Sequence, residues 1–186
     1  DFKTCKEQAF DSLLGKGSGA GIIFGSSGGV MEAALRTAYF LLNHRNAPED
    51  FFRLEKVRGN LSIKEATIDL GVQTIKVAVL YGIDNVNKMY NALKEYSFVE
   101  VMTCGVGCVG GGGQPVLPVQ KLASIIDARS KSLYEHDASL DFRNSYENND
   151  IKRLYENALE KPLSKKAEEL LHQSYTDEAS SIKITK

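Results

Sequence analysis

Between residues 30 and 44 the apolar side chains fall at Val30, Ala34, Leu35, Ala38, Leu41 and Leu42. That spacing places them along one side of a 3.6-residue period and predicts an amphipathic helix over VMEAALRTAYFLLNH. Ser27 or Gly28 stands where an N-cap belongs, and Asn46-Ala47-Pro48 breaks the pattern at the other end. The period then shortens, and Phe52–Val57, Ile63–Asp69 and Thr74–Tyr81 read as strands. Ile63–Asp69 mixes polar and apolar residues on both faces, as an edge strand does. TIKVAVLY, over 74–81, is nearly continuous in apolar residues, as a central, doubly covered strand is. Asp84 precedes a helix predicted over 85–95, with Val86, Met89, Tyr90 and Leu93 on one stripe. Phe98–Met102 then reads as a fourth strand.

Strand, helix, strand in that order predicts a βαβ crossover, hence an α/β fold with about four strands flanked by helices. Beyond Pro118 the chain becomes charged and helical in period, with helices expected over 119–135, 150–159 and 163–172. The expected division is a lobe over 1–135 and a helical C-terminal extension over 136–186. The Asp- and Asn-rich segment His136–Asn149 reads as an extended linker on the surface. Residues 1–15 carry no clear period, and the polar tail Asp177–Lys186 reads as frayed.

Two segments are dense in glycine. Residues 15–29 hold seven glycines in fifteen positions, around a short β-like run at Ile22–Phe24. Residues 105–113 hold six in nine and follow the strand ending at Met102. Glycine at that density implies tight turns or backbone pressed against something bulky, and a loop at the carboxyl end of a strand is where α/β folds place ligands.

The second loop carries Cys104 and Cys108. Soft thiolates select iron–sulfur clusters, zinc or copper(I), and a glycine-rich backbone offers N–H groups to cluster sulfurs. The pair also suits a disulfide, or half of a zinc site lacking its second ligand pair. His44, His136 and His172 lie far apart and read as surface or packing residues. Residues 105–110 fit G-x-G-x-x-G by letter, but Gly-Gly-Gly-Gln-Pro follows instead of a helix, and the Lys-Ser/Thr ending of a phosphate loop is missing. A cubane cluster takes four cysteines. This chain offers two together, and Cys5 stands ninety-nine positions before Cys104. Either another segment supplies the remaining ligands or the cluster reading fails.

Composition narrows the classes of function. A net charge of −1 and 25% charged residues give no electrostatic grip on nucleic acid or an anionic membrane. No apolar run approaches the eighteen residues of a membrane span. Three cysteines, an odd count, fit a reducing compartment, and the cytoplasm is the expected location. The chain begins at Asp1 without a leader pattern, which suggests that its natural N-terminus lies upstream.

The segment from Glu100 to Pro115, EVMTCGVGCVGGGGQP, resembles the third cysteine motif of the iron-only hydrogenases, Glu-x-Met-x-Cys-x-x-Gly-Cys-x-x-Gly-Gly-Gly-Gln-Pro. All ten fixed positions of the sixteen are met. Gly19–Tyr39 resembles a segment that precedes this motif in the family. Leu154-Tyr155-Glu156, Pro162-Leu163-Ser164 and Glu169-Leu170-Leu171-His172 resemble its small-subunit-like C-terminal helices. The resemblance spans most of residues 10–176.

It implies that Cys104 ligates a [4Fe–4S] cubane alone and that Cys108 bridges the cubane to a two-iron subsite carrying CO and cyanide. Met102 is implied to pack on that subsite, with Phe24 and Gly25 on its other side. The family's earlier motifs, Thr-Ser-Cys-Cys-Pro and Met-Pro-Cys-x-x-Lys, do not occur here, nor do the proton-relay cysteine and the cyanide-contacting lysine. The chain therefore resembles the part that follows the second motif. Members often have Ala-Cys-Pro-Gly-Gly-Cys where this chain has Thr103-Cys104-Gly105-Val106-Gly107-Cys108, a loop without the stiffening proline.

The implied activity is reversible reduction of protons to dihydrogen, with ferredoxin or a similar electron carrier and the N-terminal half of the catalytic domain as partners. Alternatives within the resemblance are an iron–sulfur assembly protein that makes no hydrogen, and a hydrogen sensor. Two structural expectations follow: Gly19–Gly29 should approach Cys104–Pro115, and this chain alone, with two of four ligands, should be an inactive fragment without the complete cluster.

Overall fold

The computed structural model describes residues 2–9, 11, 14–52, 62–116 and 118–174. The chain divides into two compact units, one over Lys16–Asn148 and the other formed by Asp1–Gly15 with Asn149–Lys186.

The larger unit is α/β. Its sheet has the strand order β1 (Ile63–Asp69), β2 (Thr74–Tyr81), β3 (Phe98–Met102), each strand at the bounds its residue pattern predicts. β1 pairs antiparallel with β2 from Ile63 opposite Leu80 to Asp69 opposite Thr74. The turn between them closes with Leu70 N–H on the Gln73 carbonyl (2.8 Å) and Gly71 N–H on Asp69 Oδ1 (2.8 Å), with Gly71 at φ 86°. β2 pairs parallel with β3, Val77 opposite Phe98 through Tyr81 opposite Met102, which confirms the crossover. The connection is a short helix, α3 (Asn85–Met89 in chain order), continued by a 3-10 segment at Tyr90–Glu95. The first expected strand, Phe52–Val57, begins at the end of a 3-10 turn (Glu49–Phe52), and its remainder lies outside the described residues.

Alternation along β2 sorts its side chains into two cores. Val77, Val79 and Tyr81 face helix α2 (Gly29–Asn43), packing with Met31, Leu35 and Tyr39 and with Ala66, Ile68 and Leu70. Ala78 and Leu80 face the other way, onto Met89, Val86 and Leu93 of the crossover. Val77, Ala78, Val79 and Leu80 are fully buried, and each Val or Leu so buried contributes about 1.5–3 kcal/mol. The sheet is thus covered on both faces, as a near-continuous apolar strand requires.

α2 presents a different face from the one its apolar residues suggest. Leu35 is buried as expected, but Val30, Ala34, Ala38 and Leu41 line a surface groove, and Leu41 is 60% exposed. The buried side instead takes Met31, Tyr39 and two charged residues, Glu32 and Arg36. Hydropathy alone does not assign charges to a core; paired ones go there when partners wait on another element.

The β-like run at Ile22–Phe24 is corrected. Gly19–Ile23 forms a helical turn, α1, because the Gly19 and Ala20 N–H groups find the Phe142 and Arg143 carbonyls (2.8 Å each). The same contacts correct the surface linker expected over His136–Asn149. The long helix α4 spans Val119–Ser139, and Asp137 and Asn144 are buried. The expected division at 135/136 falls inside α4.

In the smaller unit, Phe2–Thr4 makes a 3-10 turn. The helix expected over 150–159 appears as α5 (Asn149–Leu154) followed by a π-turn at Tyr155–Leu159. α6 (Lys165–Leu171) starts at Ser164, whose Oγ accepts from Ala167 N–H (3.1 Å) and donates to the Leu159 carbonyl (2.7 Å).

Candidate functional site

β3 delivers the chain to the carboxyl end of the parallel pair, where Gly82 N–H holds the Met102 carbonyl at 2.8 Å. The backbone then folds back. Gly107 N–H bonds the Cys104 carbonyl (3.0 Å), and Cys108–Gly110 makes a 3-10 turn. Gly107 sits at φ 80°, ψ −166°, a conformation open essentially to glycine alone. A Cβ there would lie 2.8 Å from both the Gly25 carbonyl oxygen and the Ser27 nitrogen. Val109 N–H donates to that Gly25 carbonyl at 3.1 Å. The two glycine-rich segments therefore meet, as expected, and they meet backbone to backbone. Gly29 is held as tightly on the other side of the turn: its Cβ would fall within bonding distance of the Ile23 carbonyl.

A second tie lies at the base of the loop. Glu100, in the middle of β3, is 5% exposed, and its carboxylate accepts hydrogen bonds from Gly28 N–H (Oε1, 2.7 Å) and Met31 N–H (Oε2, 2.6 Å). These are first-turn donors of α2, which have no partner within the helix. Burial pushes the Glu100 carboxyl above its ordinary range, and the two backbone hydrogen bonds oppose that shift without cancelling it. Residue-pattern reasoning missed this role. The signal was a glutamate at the inward position of FVEVM, a site tolerated only with partners.

Cys104 and Cys108 are free and exposed, so the disulfide reading does not describe this structure. Among the described residues no group of three or more His, Cys, Asp or Glu is placed to hold a metal ion. Cys108 opens on a cavity of ≈ 340 Å³ shared with Gly25, Val109, Gln114, Arg129 and Leu133. Arg129, from α4, donates to the Val109 carbonyl at 2.9 Å and braces the turn; neither it nor Gln114 was expected at the site. Gly25 thus reaches the cysteine side. Phe24, 47% exposed, borders a separate apolar cavity of ≈ 500 Å³ with Val30, Ala34, Ala38 and Leu41. Met102 is half-buried at the end of β3.

Behind the site a buried ionic cluster joins three segments. Arg36 bonds Glu32 (2.6 Å) and both oxygens of Asp137 (2.8 Å each), and Arg143 also bonds Asp137 (2.8 Å). Burial raises the Asp137 carboxyl, but the hydrogen bonds and charges of Arg36 and Arg143 outweigh it and hold the group below its ordinary value.

Residues 1–112 match the family model of the iron-only hydrogenase large subunit, C-terminal domain. The chain belongs to the iron-only hydrogenase family. Residues 123–178 match a second hydrogenase model, that of the iron hydrogenase small subunit. Among its relatives are the NADP-reducing hydrogenase subunit HndD of Solidesulfovibrio fructosivorans and iron hydrogenase 1 of Clostridium pasteurianum. Each is 39% identical over 94% of this chain. Protein NAR1 of Arabidopsis thaliana is 31% identical over 94% of the chain. A solved [FeFe]-hydrogenase from Chlamydomonas reinhardtii superposes with a TM-score of 0.63 and 36% identity, over 94% of this chain and 51% of its own. The chain spans about 30% of the length of the first two hydrogenase relatives.

The donor set suits the family's iron–sulfur chemistry in part. Two soft, unpaired thiols stand on one glycine turn beside a cavity. A cubane takes four thiolates, and this turn offers two thiols.

Proposed function

We propose that Cys104 and Cys108 are two of four thiolates holding the active centre of an iron-only hydrogenase, a [4Fe–4S] cubane joined to a two-iron subsite. The observation that carries this reading is the pair of free, exposed cysteines on the Gly107 turn, in a chain of this family. Cys104 would hold the cubane, and Cys108 would hold the cubane and the two-iron subsite together. Gly25, on the cysteine-side cavity, would line that subsite together with Met102, and Phe24, whose ring borders the neighbouring apolar cavity here, would have to turn toward it when the centre is bound. The other two thiolates come from the N-terminal half of the catalytic domain, outside this chain.

When bound, such a centre supplies two electrons to two protons to give one dihydrogen, or accepts them in reverse. The chain's own residues do the holding. The thiols must be deprotonated to ligate. The Gly107 turn and the Val109–Gly25 hydrogen bond fix where the Cys108 sulfur emerges, and Arg129 keeps the turn from opening. Electrons arrive from ferredoxin or a similar carrier. Neither nucleic acid nor a membrane span enters this reading, and no helix among the described residues is long and apolar enough to cross a membrane. Three cysteines, an odd count, favour a reducing compartment, and we place the protein in the cytoplasm.

A second reading, an iron–sulfur assembly role without hydrogen chemistry, is favoured by the 31% identity, over 81% of this chain, to cytosolic iron-sulfur assembly component 3 of Bos taurus. The higher identity to hydrogenases favours the enzyme. The complete protein, prepared without oxygen, decides between them. Hydrogen evolution with a reduced carrier is expected, and Cys108→Ser should abolish it with loss of two irons while Cys104→Ser damages the cubane. Iron–sulfur absorbance without any hydrogen turnover would favour the assembly role; full iron content in both variants would overturn the ligand assignment.

A further inference from the structure

Resting on the function proposed above, we infer that Glu100 is a positioning residue: its carboxylate fixes the Gly25–Gly28 turn against the cysteine loop and so sets the environment of the Cys104 and Cys108 sulfurs.

The geometry is a two-point clamp. At its base, four residues before Cys104, Glu100 takes the N–H groups of Gly28 and Met31 at 2.7 and 2.6 Å. At its top, one residue after Cys108, Val109 N–H takes the Gly25 carbonyl at 3.1 Å. Both cysteines lie between the two ties, and Gly107, between the cysteines, is packed on Gly25–Ser27 with no room for a Cβ. Neither loop can slide without breaking one tie.

Two chemical points single out the carboxylate. First, both donors at the base are N–H groups, so the residue between them must offer two acceptor oxygens and no donor. Glutamine offers one of each, and its NH₂ would face an N–H. Second, the site is buried, where an unmet donor is costly and a charge-assisted bond is strong. The positive end of α2 adds attraction for the anion. Consequently the Gly28 and Met31 N–H groups serve the protein and not the guest.

The test uses the complete protein, with its cluster, as Glu100→Gln and Glu100→Asp. Amide hydrogen exchange at Gly28 and Met31 should quicken roughly tenfold or more in Glu100→Gln, the effect of losing one charge-assisted hydrogen bond. The electron paramagnetic resonance signal of the reduced cluster should shift or broaden while iron content stays at the unsubstituted level. Glu100→Asp keeps both oxygens on a shorter arm and should change both readouts in the same direction by less. Unchanged exchange at Gly28 and Met31 overturns the clamp. Faster exchange with an unchanged resonance signal and midpoint potential overturns the positioning role. Loss of folded protein in both variants also overturns it, because Glu100 would then serve the fold alone. If the unsubstituted protein shows no iron–sulfur signal, it is the proposed function that fails, and the exchange measurement alone decides the clamp.

Discussion

Arg36 and Asp137, 101 residues apart, face each other through two hydrogen bonds of 2.8 Å, with both side chains fully buried. One belongs to the helix that follows the glycine turn and the other to the last turn of α4. The pair therefore joins the two helices behind the cysteine loop.

Removing one partner should be costly, because the other stays buried and charged. Asp137→Ala leaves Arg36 with Glu32 and the Arg143 carbonyl among its partners and takes one charged acceptor from Arg143. The expected loss is about 3–5 kcal/mol, read as a lower urea midpoint with the slope of the transition unchanged. A loss under about 0.5 kcal/mol, the size of an ordinary surface change, would show that the cluster carries no structural weight.

The same residue gives stability a pH dependence. Asp137 titrates below its ordinary value in the folded chain, so the folded state favours its ionised form. Its contribution is fully present above the unfolded carboxyl value of about 3.9 and is lost as pH falls through the folded value. Thermal melts taken from pH 6 downward should therefore drop at and below roughly pH 4. Asp137→Asn should flatten that part of the curve. An identical acid limb in the variant would remove Asp137 as its source.

The cysteine loop yields a sharper contrast between neighbouring glycines. Gly107→Ala places a methyl 2.8 Å from two backbone atoms in a positive-φ conformation, where strain alone costs about 1–3 kcal/mol. Gly112→Ala meets nothing within 4 Å and should change stability by less than about 0.5 kcal/mol. Denaturation midpoints of the two variants check this directly. Equal effects would mean that the loop contact with Gly25–Ser27 is not formed in solution.

Much of this was legible in the residue pattern. The three described strands fall where alternation and β-branched runs put them, since β2 is covered on both faces and β1 lies at an edge. The motif from Glu100 to Pro115 singled out two cysteines, and the structure places both exposed on one glycine-rich turn, because a close cysteine pair among glycines leaves a local signature. What stayed hidden depends on distant partners. Ile22–Phe24 looked extended until the Phe142 and Arg143 carbonyls capped a helical turn there. Asp137 looked like linker charge because its partner Arg36 sits in another helix. Glu100 stood in the motif, but its role as the acceptor for α2 required the fold.

The chain by itself provides the last test. Cys104 and Cys108 are exposed, and among the described residues no third ligand completes a metal group with them. A cubane held by two thiolates leaves two irons to water and exchange, and cluster binding couples to folding only when the ligand set is whole. Anaerobic reconstitution of this chain with iron and sulfide should therefore give less than one complete cubane per chain, lost on gel filtration, and no hydrogen evolution. Adding the N-terminal half of the catalytic domain should raise iron retention and bring activity with it. Retention should depend on both cysteines, since either substitution leaves one thiolate where the half-site already has too few. Stoichiometric iron in a stable monomer of this chain, or turnover above buffer, would overturn the half-site account and place a full ligand set within these residues.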